Sequence, residues 1–91
     1  MGLEEDFQQA VDDVSNKINK TLSNDELKEV YALYKQATVG DINTERPGMF
    51  DMKGKAKWDA WNSKKGMSRD EVKQNYVGLS KQLEEKHGLI N

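Results

Sequence analysis

Residues Tyr34–Trp61 read YKQATVGDINTERPGMFDMKGKAKWDAW, and they join two helical patterns through a long polar loop. Before the loop, Leu27, Val30, Tyr31, Tyr34 and Thr38 recur at three- and four-residue steps, which predicts the apolar face of one helix. Gly40 is a suitable stop, because glycine accepts the left-handed conformation that ends helices. Periodicity is then lost from Asp41 to Met52. Arg46-Pro47-Gly48 blocks helix continuation, since proline has no amide proton and a fixed φ. A loop of this length in a small domain is functional or disordered. Met49, Phe50 and Met52 are expected to anchor it to the core in an ordered form. Helical spacing resumes from about Lys53 to Lys64, with Trp58 and Trp61 on one side, and Gly66 ends it.

The flanking segments supply two more helices. Phe7, Ala10, Val11, Val14 and Ile18 define one amphipathic face, and Asn19 through Asn24 reads as a loop. Ser23 with Glu26, and again Ser68 with Glu71, are capping-box patterns that start helices two and four. Val72, Tyr76, Leu79 and Leu83 carry the fourth helix to Gly88, with Leu89 and Ile90 able to fold back over its end. The expectation is a single all-α domain spanning residues 1–91, a four-helix bundle with a long loop between helices two and three. That crossover frees helices two and three from being antiparallel neighbours. Periodicity alone leaves their spatial order open.

Composition narrows the function. The 91 residues are 35% hydrophobic and 33% charged, a soluble globular balance. The absence of cysteine excludes disulfides, thiolate metal sites and cysteine nucleophiles. No apolar run is long enough for a membrane helix. The acidic start MGLEEDF does not look like a signal peptide, Asp6 stands where a myristoylation pattern wants Ser or Thr, and HGLIN offers no prenylation cysteine. A cytoplasmic protein without stable membrane insertion is expected. Net charge is −2 but uneven. The first 14 residues hold five acids and no base, whereas Lys53, Lys55, Lys57, Lys64 and Lys65 face only Asp59 within residues 53–65. A local cationic cluster on an acidic protein favours a compact anionic ligand over a long nucleic acid.

Helical spacing suggests where that ligand would sit. Tyr31 and Lys35 are four apart, as are Lys53 and Lys57, and Lys57 and Trp61, so each pair shares a helix face. If helices two and three approach, lysine ammoniums form a phosphate-binding corner beside aromatic rings. The blander reading gives the lysines to a solvated face and the tyrosines and tryptophans to the core.

The loop and the KGKAK segment, with Tyr31-Ala32-Leu33-Tyr34-Lys35 before them, resemble the signature of the acyl-CoA-binding protein family, also called diazepam-binding inhibitor. The similarity runs from about Phe7 to Leu89. The resemblance implies a skewed up-down-down-up bundle with helices two and three parallel. It also implies an acyl-CoA site formed by Tyr31, Ala32, Leu33, Tyr34, Lys35, Lys53, Lys57 and Tyr76. In that scheme Tyr31, Lys35 and Lys57 grip the ribose 3′-phosphate and Tyr76 contacts the nucleotide. Ala10, Val11 and Leu27 are candidates to line the acyl chain. Two features depart from the family pattern: Ser15 stands where relatives often carry a base, and Lys28 and Glu29 stand where they often carry apolar side chains.

Three rival classes stay in view. An enzyme would need more than His87, near the C-terminus, which is expected to be a surface residue complementing the helix dipole. A small nucleic-acid-binding module draws support from the lysines and tryptophans of residues 53–65. A receptor-modulating signalling protein or peptide precursor is suggested by the family's second name. The favoured expectation is a monomeric, non-catalytic carrier and pool former for medium- and long-chain acyl-CoA, without metal or cofactor, that passes cargo to acyl-CoA-using enzymes.

Overall fold

The computed structural model describes residues 2–17 and 22–88. Ile18, the start of the first loop, and the Leu89–Ile90 fold-back lie outside the described residues. Among the described residues there are four α-helices: α1 (Leu3–Asp12), α2 (Asn24–Thr38), α3 (Met52–Asn62) and α4 (Arg69–His87). A π-helical turn, Asp13–Lys17, extends α1.

Each boundary has a local cause. Glu4, Glu5 and Asp6 place negative charge at the positive end of α1. Ser23 caps α2 reciprocally: its hydroxyl accepts from the Glu26 amide (3.1 Å), and its own amide donates to the Glu26 carboxylate (2.8 Å). Ser68 supplies the forward bond to the Glu71 amide of α4 (3.1 Å). Asp51 starts α3 by accepting from the Gly54 amide (2.9 Å). Gly40 and Gly66 adopt φ of +98° and +92°, which supports the expected stops. Helix three is shorter than expected: it ends at Asn62, and a turn over residues 63–66 leads to Gly66.

Pairings between helices fix their directions. Glu4 of α1 pairs with Lys73 of α4, and the Phe7 ring meets Tyr76 edge-on at 5.2 Å, so α1 and α4 run parallel. Glu26 pairs with Lys86 (2.9 Å), while Arg69 donates to the Val39 carbonyl (3.4 Å), so α2 and α4 are antiparallel. Lys57 lies over the Tyr31 ring and Lys35 over the Trp61 ring. Both pairs are separated by 26 residues, so α2 and α3 advance together. The result is the up-down-down-up bundle that the family resemblance implies.

The core joins Phe7, Ala10, Leu33, Ala37, Val72 and Tyr76, with Val11, Val14, Val30, Met67, Val77 and Leu79 packed around it. On α2 the buried side chains are Ala32, Leu33, Gln36 and Ala37. The stripe expected to face the core lies beside them instead: Leu27 is 50% exposed, Tyr34 is 40% exposed, and Val30 and Tyr31 are half-buried. Helix two therefore carries two apolar faces, and periodicity picked the one that the core covers only in part, through Val30.

The long loop is ordered, but its apolar residues do not anchor it. Met49, Phe50 and Met52 point outward, 70%, 96% and 69% exposed. Hydrogen bonds hold the loop in their place. Trp58 Nε1 donates to the Thr44 carbonyl (3.0 Å), and Trp61 Nε1 donates to the Gly40 carbonyl (2.9 Å). Arg46 makes a two-pronged pair with Asp59, at 2.9 Å for each nitrogen. At the far end, the Asp41 carboxylate accepts from Gln36 Nε2 (2.9 Å) and the Gly66 amide (2.8 Å). Those two bonds hold its pKa below the ordinary aspartate range, the amide bond being the stronger cause.

Candidate functional site

The exposed face of α2 forms one wall of an open groove of about 430 Å³. Leu27, Val30, Tyr31 and Tyr34 rise on the α2 side, and Val11, Val14 and Ser15 face them from α1 and its π-helical turn. Tyr76 of α4 contributes to the lining, and Lys57 reaches in from α3. All four helices thus contribute to one recess. Its walls are largely aliphatic and aromatic, and its cation sits at one side.

The aromatic residues explain the shape. Phe7 stacks against Tyr34 (6.4 Å between centroids, 21° between planes) and meets Tyr76 edge-on, which ties α1, α2 and α4 together at the groove. Tyr76 is only 2% exposed. Burial raises its hydroxyl pKa to about 12, with a smaller contribution from Tyr34. It stays neutral near pH 7 and can serve as a donor or acceptor at the groove wall.

The cations occupy the seam between α2 and α3. Lys57 Nζ stands 5.3 Å from the centre of the Tyr31 ring, and Lys35 Nζ stands 5.2 Å from that of Trp61. In each pair the ammonium faces the π cloud of the neighbouring helix. The pairs are four residues apart on both helices, which separates them by about 6 Å along the seam. Lys35 lies just past the groove lining, and Lys57 lies within it. Both ammoniums therefore lie along the α2–α3 seam, each against an aromatic ring.

Other cations nearby are already engaged. Lys64 is mostly buried and pairs with Glu29 (2.9 Å), and Arg46 is held by Asp59. These pairings break up the basic stripe that a nucleic-acid reading would use. No group of three or more His, Cys, Asp or Glu able to hold a metal occurs among the described residues.

The structure redistributes several sequence expectations. Ala32 and Leu33 are 0% and 2% exposed, so they belong to the core and set the register of Tyr31, Tyr34 and Lys35 without facing the groove. Ala10 is buried and lines a separate cavity of about 200 Å³ between α1 and α4. Val11 and Leu27 do line the groove. Lys53 is exposed in the first turn of α3, outside the lining. Lys28 pairs with Asp25 (3.1 Å) and Glu29 with Lys64, so both departures are accommodated away from the groove. Ser15 is a groove residue. Val14 and Val30 line it too, while packing against the core where periodicity places them. The available signal was an apolar face on α2 wider than one neighbouring helix could cover.

His87 also differs from expectation. Its side chain is only 13% exposed, and Nε2 lies 3.0 and 3.2 Å from the two Glu26 carboxylate oxygens. It closes the bundle end where α4 finishes against the start of α2. The Ser23 amide, then Lys86, then His87 hold the Glu26 pKa down at about 2, against a smaller upward push from burial.

A helical bundle with an apolar trough, two tyrosines and a lysine at its rim defines a binding protein for an amphipathic anion. The family model described as Acyl CoA binding protein matches residues 4–80, and the chain belongs to that family. A putative acyl-CoA-binding protein from a Hypsibius species is 49% identical over 89 residues, 98% of this chain and 99% of the relative. Acyl-CoA-binding protein homolog 1 of Caenorhabditis elegans is 58% identical over 66 residues, 72% and 77% of the two chains. Among solved structures, Oryza sativa acyl-CoA-binding protein 2 superposes with a TM-score of 0.87 at 41% identity, covering 93% of each chain. The corresponding protein of Moniliophthora perniciosa gives 0.85 at 40% identity, covering 94% of this chain and 83% of that one.

Proposed function

We propose that residues 1–91 act as one acyl-CoA-binding domain that takes up medium- and long-chain acyl-CoA reversibly and releases it unchanged. The chain works as a cytoplasmic carrier. It does so as a monomer, because all four helices of one copy contribute to the groove. It requires no metal or cofactor, and its cargo passes to acyl-CoA-using enzymes by mass action. The carrying observation is the continuity of an aliphatic groove with the Tyr31–Lys57 corner.

In this reading the hydrocarbon lies against Val11, Val14, Leu27 and Val30. Lys57, Lys35 and Tyr31 hold the ribose 3′-phosphate. Tyr34 and Tyr76 flank the intervening part of the ligand, and Lys53 supplies longer-range attraction. The two halves of the site reinforce each other. A charge-assisted hydrogen bond contributes about 1.5–3 kcal/mol, and each buried methylene about 0.8 kcal/mol. Loss of ligand freedom offsets much of that sum. A net near −11 to −13 kcal/mol, nanomolar affinity, remains within reach.

Calorimetric titration with palmitoyl-CoA, coenzyme A and palmitate tests the proposal. Palmitoyl-CoA should bind far more tightly than either part alone, with no thiol released on incubation. Equal affinity for palmitoyl-CoA and coenzyme A would remove the groove from the account. Thiol release would replace the carrier with a hydrolase.

A further inference from the structure

The seam between α1 and α4 holds a recess that shares no lining residue with the acyl-CoA groove. Helix α1 and the turn that extends it line the recess with Asp6, Gln9, Ala10 and Asp13. Helix α4 lines it with Val77, Ser80, Lys81 and Glu84. Both sets follow the steps i, i+3, i+4 and i+7, so each is one helix stripe. The stripes run side by side because the two helices are parallel. Seven residues rise about 10 Å, which gives the recess the form of a short trench. Its volume of about 200 Å³ is the space of roughly seven water molecules.

Ser80 marks the floor of the trench and is only 2% exposed. Gln36, also buried and polar, donates to Asp41 and to the Met67 carbonyl. The Ser80 hydroxyl, by contrast, takes no partner among the described residues. A hydroxyl withdrawn from water and left unbonded disfavours the free protein, and a ligand that bonds it removes that penalty.

The rim is acidic at both ends. The register set by Phe7 against Tyr76 puts Asp6 near Val77 at one end and Asp13 toward Glu84 at the other. Asp6 is exposed, and its carboxylate takes no partner among the described residues. Asp13 accepts from Gln9 Nε2 (2.9 Å), and an ionised carboxylate keeps capacity for further donors. Three carboxylates thus meet a single base, Lys81. They do not converge, since no group of His, Cys, Asp or Glu able to hold a metal occurs among the described residues. Negative charge divided between two ends suits an extended organic cation better than a point ion. Ala10 and Val77 supply apolar contact for methylenes lying between those ends.

We infer that the α1–α4 trench is a binding site for a short alkyl diamine. One ammonium pairs with Asp6. The other donates to the Ser80 oxygen and lies against Asp13 and Glu84. Lys81 is exposed, and its flexible stem carries the charge outward to water when the trench fills.

Titration with 1,4-diaminobutane at constant ionic strength, followed by backbone amide NMR on the acyl-CoA-free chain, tests the inference. Saturable shifts should concentrate at residues 6–13 and 77–84. Butylamine, which lacks the second charge, should bind about fivefold more weakly. Asp6→Asn should weaken diamine binding about fivefold, and Ser80→Ala about fivefold. Lys81→Gln should tighten it about threefold, because it removes the one repelling charge. Ser80→Ala should leave Tm unchanged or higher, since the hydroxyl bonds nothing in the free protein. None of the three changes should alter palmitoyl-CoA affinity. Shifts no different from those of sodium chloride at equal ionic strength would overturn the inference. So would equal affinities for the diamine and butylamine, or wild-type affinity in both Asp6→Asn and Ser80→Ala. A lowered Tm in Ser80→Ala would make the hydroxyl a structural group and overturn its assignment to the ligand.

Discussion

Replacing Lys57 by alanine isolates the charged half of the proposed site. Lys57 lines the groove, and its ammonium stands 5.3 Å from the Tyr31 ring centre, within reach of a ligand phosphate beside that tyrosine. In the free protein the side chain is exposed, so its removal should disturb folding little. Its contact with Tyr31 accounts for about 0.5–1 kcal/mol at an exposed position. A charge-assisted bond to phosphate accounts for about 1.5–3 kcal/mol, which sets the expected loss at roughly 10- to 150-fold in Kd. Calorimetry should be run with palmitoyl-CoA and with its 3′-dephospho analogue on both proteins, forming a double-mutant cycle. With the dephospho ligand the loss should shrink to the residual packing contribution, within about 0.5 kcal/mol. An equal loss with both ligands would refute the phosphate assignment and make Lys57 a support for Tyr31.

Other outcomes follow from the same geometry. Gly54→Ala should raise thermal stability by less than the ~1 kcal/mol that alanine ordinarily gains over glycine in a helix, because a Cβ there meets the Asp51 carboxyl carbon at 2.6 Å and dislodges the cap of α3; a Tm raised by the full gain would contradict it. Glu26, with its pKa lowered to about 2 from 4.5, contributes stability that is complete above pH 4.5 and lost as pH falls toward 2. Glu26→Gln keeps an acceptor for the Ser23 amide, so its Tm deficit should be largest near neutrality and close in acid; a deficit independent of pH would show that charge is not the cause. Tyr76, with its pKa raised to about 12 from 10, favours the folded state fully below pH 10 and loses that contribution as pH rises to 12. Phenolate absorbance should therefore show one of the three tyrosines ionising late, and Tyr76→Phe should abolish that phase; its persistence would move the assignment elsewhere.

The direction of the helices shows why family likeness and periodicity contribute differently. Ser23, Gly40, Ser68 and Gly88 act on neighbours within a few residues, so helices two and four could be read from the chain with little error. Their mutual directions depend on contacts such as Glu26–Lys86 and Lys57–Tyr31, between residues 60 and 26 positions apart. Periodicity is blind to such partners. The family resemblance supplied the up-down-down-up order, and the pairings give its physical basis.

The site divides along the same line. Sequence alone placed Tyr31 with Lys35, and Lys57 with Trp61, on common helix faces, because a four-residue step is a property of the helix itself. It could not assign faces to surroundings. Leu27, Val30 and Tyr34 have the spacing of core residues yet border an open groove, while Ala32 and Leu33 of the resembling motif are sealed beneath it. Met49, Phe50 and Met52 look like anchors in one dimension and project from the surface in three. An apolar side chain is buried only if another element arrives to cover it. Local chemistry determined the helices and their endings, whereas the packing of α3 and α4 against α2, with α1 laid on α4, decided which greasy surface became core and which remained available for a ligand.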